Sequence, residues 1–331
     1  MSALVETMAY TGEAPWHGLG NKVDDNLTLE QFIVAAGLDW RVNKVQLYAP
    51  HQSEKRAVKA PGLFAVQRVT DGRIFGACGK AYKPAQNSQV AEFYREFIKA
   101  GDMKMDTAGS LKDGEMVWFL ARMDMDIVLP GNDRLKSYVL IGVPHKPGKS
   151  VVIKFVSMRV VCNNTLTVAL GENGSEYRHT HRSAFTEATI EEAKEVLGLA
   201  RETVQLSGAQ FQALANTSVT NREMASLMGE FFNSDEPEKV GTLFVKGKEG
   251  FGWDDFNEAA NRGTKNAIKS YFKAPGATPG SLWGVLNGVT HYADHVYGRG
   301  GDNRLNSAWF GTMDNTKRKA MAKLSEMAAA P

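Results

Sequence analysis

Apolar and polar positions alternate through the first half of the chain and shift to helical spacing in the second. Thr28 and Gln31 form a capping-box pattern ahead of Leu29–Ala36, and Gly37 supplies a stop. Trp40–Tyr48 reads as a strand. Leu63–Val69 and Arg73–Ala77 flank Thr70-Asp71-Gly72, a hairpin signal because an Asp-Gly pair tolerates the positive φ of tight turns. Asn87 is placed to cap a helix in which Val90, Phe93, Tyr94, Phe97 and Ile98 recur on one face, with Gly101 as its end. Met103–Ser110 and Met116–Arg122 surround Lys112-Asp113-Gly114-Glu115, a second hairpin. Ser137–Val143 and Val151–Val161 are β-rich runs joined by the turn His145-Lys146-Pro147-Gly148, and Tyr177–Arg182 reads as a last short strand.

Beyond Thr186 the pattern is helical. Ile190, Ala193, Val196, Leu197 and Ala200 mark Thr186–Leu206 as a helix. Ser218–Phe232, Phe256–Phe272, Ser281–Tyr297 and Asn315–Ala329 follow, with a break over Asn233–Pro237. The predicted fold class is therefore α+β: an antiparallel, β-rich N-terminal half with a central helix, then a mainly α-helical C-terminal half. The predicted domains are 1–183, β-rich and basic, and 184–331, mainly helical. A length of 331 residues fits two such units.

Net charge is only +2, so a polyanion site has to be local. Residues 41–83 carry nine Lys/Arg against two Asp/Glu, and residues 131–182 carry eight against three, with His145, His179 and His181 added. Residues 223–260 carry nine acids against three bases. The basic half reads either as a solvated sheet face or as a polyanion-binding one. Two cysteines, Cys78 and Cys162, exclude a disulfide framework and a four-cysteine zinc site and fit a reducing cytoplasm. Met1–Tyr10 lacks the basic start and long apolar run of a signal peptide. No run reaches the eighteen apolar residues of a membrane span, so a soluble cytoplasmic protein without membrane association is expected.

Four local arrangements carry candidate chemistry. In Pro15-Trp16-His17-Gly18, Trp16 can stack a base and His17 can donate to a phosphate, or Trp16 can plug the core. Arg159–Leu166 reads as a strand entering a short helix capped by Asn163, Asn164 or Thr165; a helix start beside Arg159 suits an anion. Cys162 there reads as core rather than nucleophile, for no Cys/His signature accompanies it. Along Arg178–Arg182 a strand puts Arg178, Thr180 and Arg182 on one face and His179 and His181 on the other, a basic edge strand or half a metal site. His291 and His295 stand at i, i+4, the zinc-protease spacing, but Tyr292 occupies the place of its glutamate, and Asp294 is expected to pair with a neighbouring base. No G-x-x-x-x-G-K-[ST] loop and no G-x-S-x-G elbow is present.

Pro15–Gly20, Asp106–Phe119, Arg159–Leu166, Leu282–His295 and Leu305–Gly311 together resemble the family of domain-of-unknown-function 932, found on prophages and conjugative plasmids. The most specific piece is RVVCNNTL, and the chain departs from the family at Pro144–Gly148, where related proteins show a His-Asp-Gly-Ser turn. The resemblance implies a protein of a bacterial mobile element and supplies no reaction. From the residues, the leading expectation is single-stranded DNA binding or annealing, which the resemblance implies would serve phage or plasmid DNA metabolism, by a homo-oligomer without cofactor or bound metal. Strand order β-β-β-α over Trp40–Ala100 is compatible with the core of phage annealing proteins. The expected contacts are Trp16, His17, Arg68, Arg73, Lys80, Lys154, Arg159, Asn163, Arg178 and Arg182, with Trp40, Tyr48, Phe64, Phe75 and Tyr82 interleaved. Two rivals stand beside it. One is a metal-dependent hydrolase using His179, His181, His291 and His295. The other is a protein-interaction module, such as a host-defence inhibitor, working through its acidic helical half.

Overall fold

A computed structural model describes residues 5–12, 20–51, 56–100, 102–159, 164–167, 176–196, 200–250, 252–298 and 301–329. It opens with β1 (Val5–Tyr10) and β2 (Asn21–Lys22), then α1 (Leu29–Ala35). Thr28 caps α1 through the reciprocal bonds read from the sequence, and Gly37 follows with φ of +66°. Strands β3 (Val42–Pro50), β4 (Ala57–Arg68) and β5 (Ile74–Gly79) form one antiparallel sheet in that order.

The central helix is broken. It runs as α2 (Asn87–Ala91), a 3-10 turn (Glu92–Tyr94) and α3 (Arg95–Lys99). Gln86, not Asn87, closes its capping box with Gln89. Asn87 is buried one position further on and donates to the Leu38 carbonyl at 3.0 Å. The long strands β6 (Met103–Leu111), β7 (Met116–Leu129), β8 (Asp133–Pro144) and β9 (Val151–Arg159) follow, with β10 (Asn164–Thr167) and β11 (Glu176–His179). They build the large sheet in the order β10-β9-β8-β7-β6-β1-β2, in which only β1 and β2 are parallel. β11 lies on the same edge of β9 as β10, farther along it.

The Arg159–Leu166 segment corrects the sequence reading. Asn164 pairs with Arg159 and Leu166 with Ser157, so Asn164–Leu166 lie in β10 against β9 and not in a helix, while residues 160–163 lie outside the described residues. Pairing with the free edge of β9, helped by the β-branched Thr165 and Thr167, outweighs the capping preference of Asn and Thr.

The helical half runs through α4 (Glu187–Val196), α5 (Ala200–Asn216), α6 (Asn221–Phe231), α7 (Pro237–Lys248), α8 (Trp253–Ala259), α9 (Arg262–Lys273), α10 (Leu282–His291), α11 (Gly301–Phe310) and α12 (Thr312–Ala329). The helix expected over Phe256–Phe272 is two, because the Asn261 side chain accepts from the Thr264 amide and starts α9 afresh. Pro237 breaks the chain as expected and also opens α7, where its missing N–H costs nothing.

The change from strand to helix falls between β11 and α4, where the composition places it. Even so, one hydrophobic cluster runs from Ala9 through Phe119 and Ile141 to Trp283 and Leu324, across that point. Strand alternation explains how the sheet serves two cores. Val117, Phe119 and Ala121 face the large cluster, while Met116, Trp118 and Leu120 face a second one closed by Leu305, Ala308 and Trp309 of α11. Among the described residues no helix is long and apolar enough to cross a membrane.

Candidate nucleic-acid interface

The expected contact residues do not share one surface. Trp16, His17, Cys162 and Asn163 lie outside the described residues, and Arg159 is described only as the last residue of β9. Lys154 is buried: its Nζ donates to Asp314 Oδ1 at 2.8 Å and to the Trp309 carbonyl. Its position on β9 turns it into the second core, under α11 and α12, so no strand of nucleic acid reaches it in this structure. Arg68 is buried as well. It forks onto Asp71 at 2.5 Å and Glu6 at 2.8 Å and lies 5.2 Å from the centre of the Trp40 ring. The hydrogen bond to Asp71 is the main reason the Arg68 pKa is raised, and Arg68 in turn draws Asp71 down to about 2. Arg73, half-exposed, pairs with Asp113 at 2.6 Å, and Arg178, exposed, pairs with Glu176. Lys80 and Arg182 are exposed.

The aromatics sort in the same way. Trp40 and Phe75 are buried around His145, Phe64 and Tyr82 are half-buried, and Tyr48 is 59% exposed.

What the structure does assemble is a ribbon. β5 pairs with β4 only from Leu63 to Gln67, while β3 and β4 stay paired through Tyr48–Lys59, Ala49–Val58 and Pro50–Ala57. The two strands thus run on together past the end of β5, and at about 3.3 Å per residue the four residues from Leu47 to Pro50 reach roughly 13 Å. A register shift marks the exit: Gln46 faces Phe64, but Tyr48 faces Lys59, leaving Pro61 and Gly62 (φ +73°) in a bulge. The Gln46 amide holds it, with Nε2 2.7 Å from the Ala60 carbonyl and 2.9 Å from those of Leu47 and Leu63.

Charge and exposure on this ribbon fit a polyanion. Tyr48, Ala49, Pro50, Arg56, Ala57, Val58 and Lys59 are all exposed. Tyr48 and Lys59 are directly cross-strand, so a ring and an ammonium share one face. Lys80 follows Gly79, the residue opposite Leu63, and so sits where the ribbon leaves the sheet. Lys44 is not part of this surface. Its Nζ donates to the carbonyls of Lys80 (2.6 Å) and Tyr82 (3.1 Å) over the Phe64 ring, tying the ribbon's base to the end of β5. Lys59, Arg56 and Gln46 are absent from the sequence-based site. The signals for them were the excess of Lys/Arg over residues 41–83, which includes Arg56 and Lys59, and Pro61-Gly62, the mark of a bulge.

The histidines are dispersed into separate structural roles. His179 bonds the Ser183 carbonyl, and His181 bonds the Lys83 carbonyl and stacks on Tyr82 at 4.7 Å. Both are buried, while Arg178, Thr180 and Arg182 are exposed, the two faces expected of a basic edge strand; the strand itself ends at His179, short of the expected Arg182, and the chain goes on to meet Lys83. His145 is buried against Trp40 and Phe75. Its Nε2 donates to Asn87 Oδ1 at 2.8 Å, since the Asn87 amide group is already engaged with Leu38. Burial, followed by the nearby His181 and Arg68, pushes its pKa down to about 3. His291 and His295 lie side by side at the end of α10. Among the described residues no three His, Cys, Asp or Glu side chains converge as a metal site. Asp294 does find its base, Lys317, at 2.9 Å in the interior.

A family model described as a domain of unknown function (DUF932) matches residues 74–309, over two thirds of the chain. The match begins at the first residue of β5, so the ribbon precedes it. No curated protein and no solved structure matches the chain.

Proposed function

Given that the chain belongs to the DUF932 family, whose description names no reaction, we propose from its own side chains that it binds single-stranded nucleic acid, serving strand binding or annealing in phage or plasmid DNA metabolism. The observation that carries this reading is the two-stranded β3–β4 ribbon, exposed along its length, with Tyr48 and Lys59 on one face, Arg56 at its tip and Lys80 at its root. A flexible strand can lay its phosphates along such a row of cations while turning one base onto the tyrosine. Stacking of that kind is worth about 1–3 kcal/mol per base and is tolerant of sequence. A duplex keeps its bases stacked inside and offers the tyrosine nothing. The absence of a phosphate loop from the sequence fits annealing, which needs no nucleotide hydrolysis.

The test is a binding isotherm by fluorescence anisotropy with labelled single-stranded DNA, RNA of the same sequence and the DNA duplex, repeated over a range of salt. Tighter binding of single strands, weakening steeply with salt, is expected. Equal affinity for duplex, or no binding at low salt, would overturn the reading.

A further inference from the structure

The end of α10 carries an arrangement that nucleic-acid binding does not use. α10 stops at His291, and the chain continues as a π turn over Tyr292–Val296, closed by the Tyr297 amide on the Tyr292 carbonyl at 2.8 Å. The wider turn carries Asp294 inward to Lys317 on α12 and leaves His291 and His295 as neighbours on the half-buried side. Their ring centres are 5.0 Å apart and their planes are inclined by 43°, so the rings are not stacked.

That spacing has a chemical meaning. With a metal–nitrogen bond of about 2.1 Å and roughly 1.15 Å more to the ring centre, two imidazoles on a tetrahedral ion have centres about 5.3 Å apart. On adjacent positions of a square-planar ion the figure is about 4.6 Å. The observed 5.0 Å lies between the two. Ser270 on α9 approaches His291 Nδ1 at 3.1 Å, fixing the ring and leaving Nε2 as its ligand atom, the usual task of an outer-shell partner. Both rings stand on one rigid helix end, packed against α9, α11 and α12.

We propose that His291 and His295 form a two-histidine chelate for a divalent transition ion such as Zn²⁺ or Cu²⁺. Two protein ligands leave the remaining coordination positions to water or to an incoming ligand, so the ion is exchangeable rather than a structural resident. The site is independent of the ribbon and stands or falls without it.

The test uses the full-length protein, stripped with chelator and titrated with CuCl₂ alone under electron paramagnetic resonance, and with ZnCl₂ alone by calorimetry. One ion per chain is expected, with a nitrogen splitting from two imidazoles. His291→Asn and His295→Asn should each lower affinity at least 10-fold, and the double variant should lose no more than either alone, since a chelate fails when one arm is gone. Ser270→Ala should weaken binding about 10-fold, on the scale of outer-shell partners, while keeping both nitrogens in the spectrum. Circular dichroism checks that each variant is folded. The wild-type spectrum needs no variant: a signal with one nitrogen, or none, overturns the proposal, as does unchanged affinity in the folded double variant.

Discussion

Replacing Lys154 by methionine separates two incompatible accounts of this residue. Its side chain is 1% exposed, with the ammonium 2.8 Å from Asp314, itself 4% exposed. The change removes one partner of a buried ion pair, which costs about 3–5 kcal/mol because the other charge stays behind in the interior. Asp314 keeps Arg318 on its second oxygen at 3.1 Å, so the loss should fall near the lower end, about 3 kcal/mol. Urea unfolding, followed by circular dichroism, measures it as a shift of midpoint at constant slope. Asp314→Leu should cost a similar amount. The double variant Lys154→Met/Asp314→Leu should be more stable than either, because neither charge is then stranded.

The pH dependence has a definite sign. Burial pushes the Lys154 pKa down to about 8, with Asp314 opposing, against 10.5 for the free side chain. Between these values the unfolded chain holds a proton that the folded one has given up. Stability relative to Lys154→Met should therefore rise with pH across that window and stay level below it. A Lys154→Met protein that unfolds at the wild-type midpoint but binds single strands more weakly would refute the burial argument and restore Lys154 to the nucleic-acid surface.

Other consequences follow from single contacts. Burial pushes the His145 pKa from 6.5 to about 3, so the unfolded state gains a proton first as pH falls. This residue contributes a loss of about 1.4 kcal/mol per pH unit through that window, and His145→Gln should flatten the acid limb of the stability curve by that slope. Gly109→Ala would put a Cβ 2.4 Å from the Trp118 ring and 2.5 Å from the Thr7 carbonyl, jamming β1 against β6; a loss of about 3 kcal/mol in urea unfolding is expected. Gly62→Ala meets open space and carries only the strain of its positive φ, about 1 kcal/mol by the same assay, and a larger loss would mean that the bulge is packed more closely than described.

Much of the fold was legible because its determinants are local. Thr28 with Gln31, the Asp71-Gly72 and Lys112–Gly114 turns, and the alternation along Met116–Ala121 all act over a few residues, and each stands where the sequence put it. The edge strand at Asn164–Thr167 was not legible, because its partner β9 had first to be presented as an edge. Of the proposed interface, the charge was legible and the surface was not. Lys154 and Arg68 read as ordinary basic residues, and nothing near them in sequence announces Asp314, 160 positions away, or Glu6, 62 positions away. Conversely, the exposure of Tyr48, Arg56 and Lys59 comes from β5 stopping at Gly79, a fact about the neighbouring strand. The histidines looked like one ligand set because they are few. Folding sends His179 and His181 to backbone carbonyls and only His291 and His295 to each other.

The central claim, that the ribbon grips a single strand, is tested most directly by the salt dependence of wild type against Arg56→Ala/Lys59→Ala and Tyr48→Ala. Each phosphate contact on a single strand adds about 0.7 to the slope of log affinity against log salt, so the double variant should lose about 1.4 of that slope. Tyr48→Ala should keep the slope and lose about 10-fold in affinity at every salt, the lower end of the stacking range. All three positions are exposed, so urea midpoints should stay within about 0.5 kcal/mol of wild type. Variants that bind single-stranded DNA with wild-type affinity and wild-type slope would contradict the account and move the interface away from the ribbon.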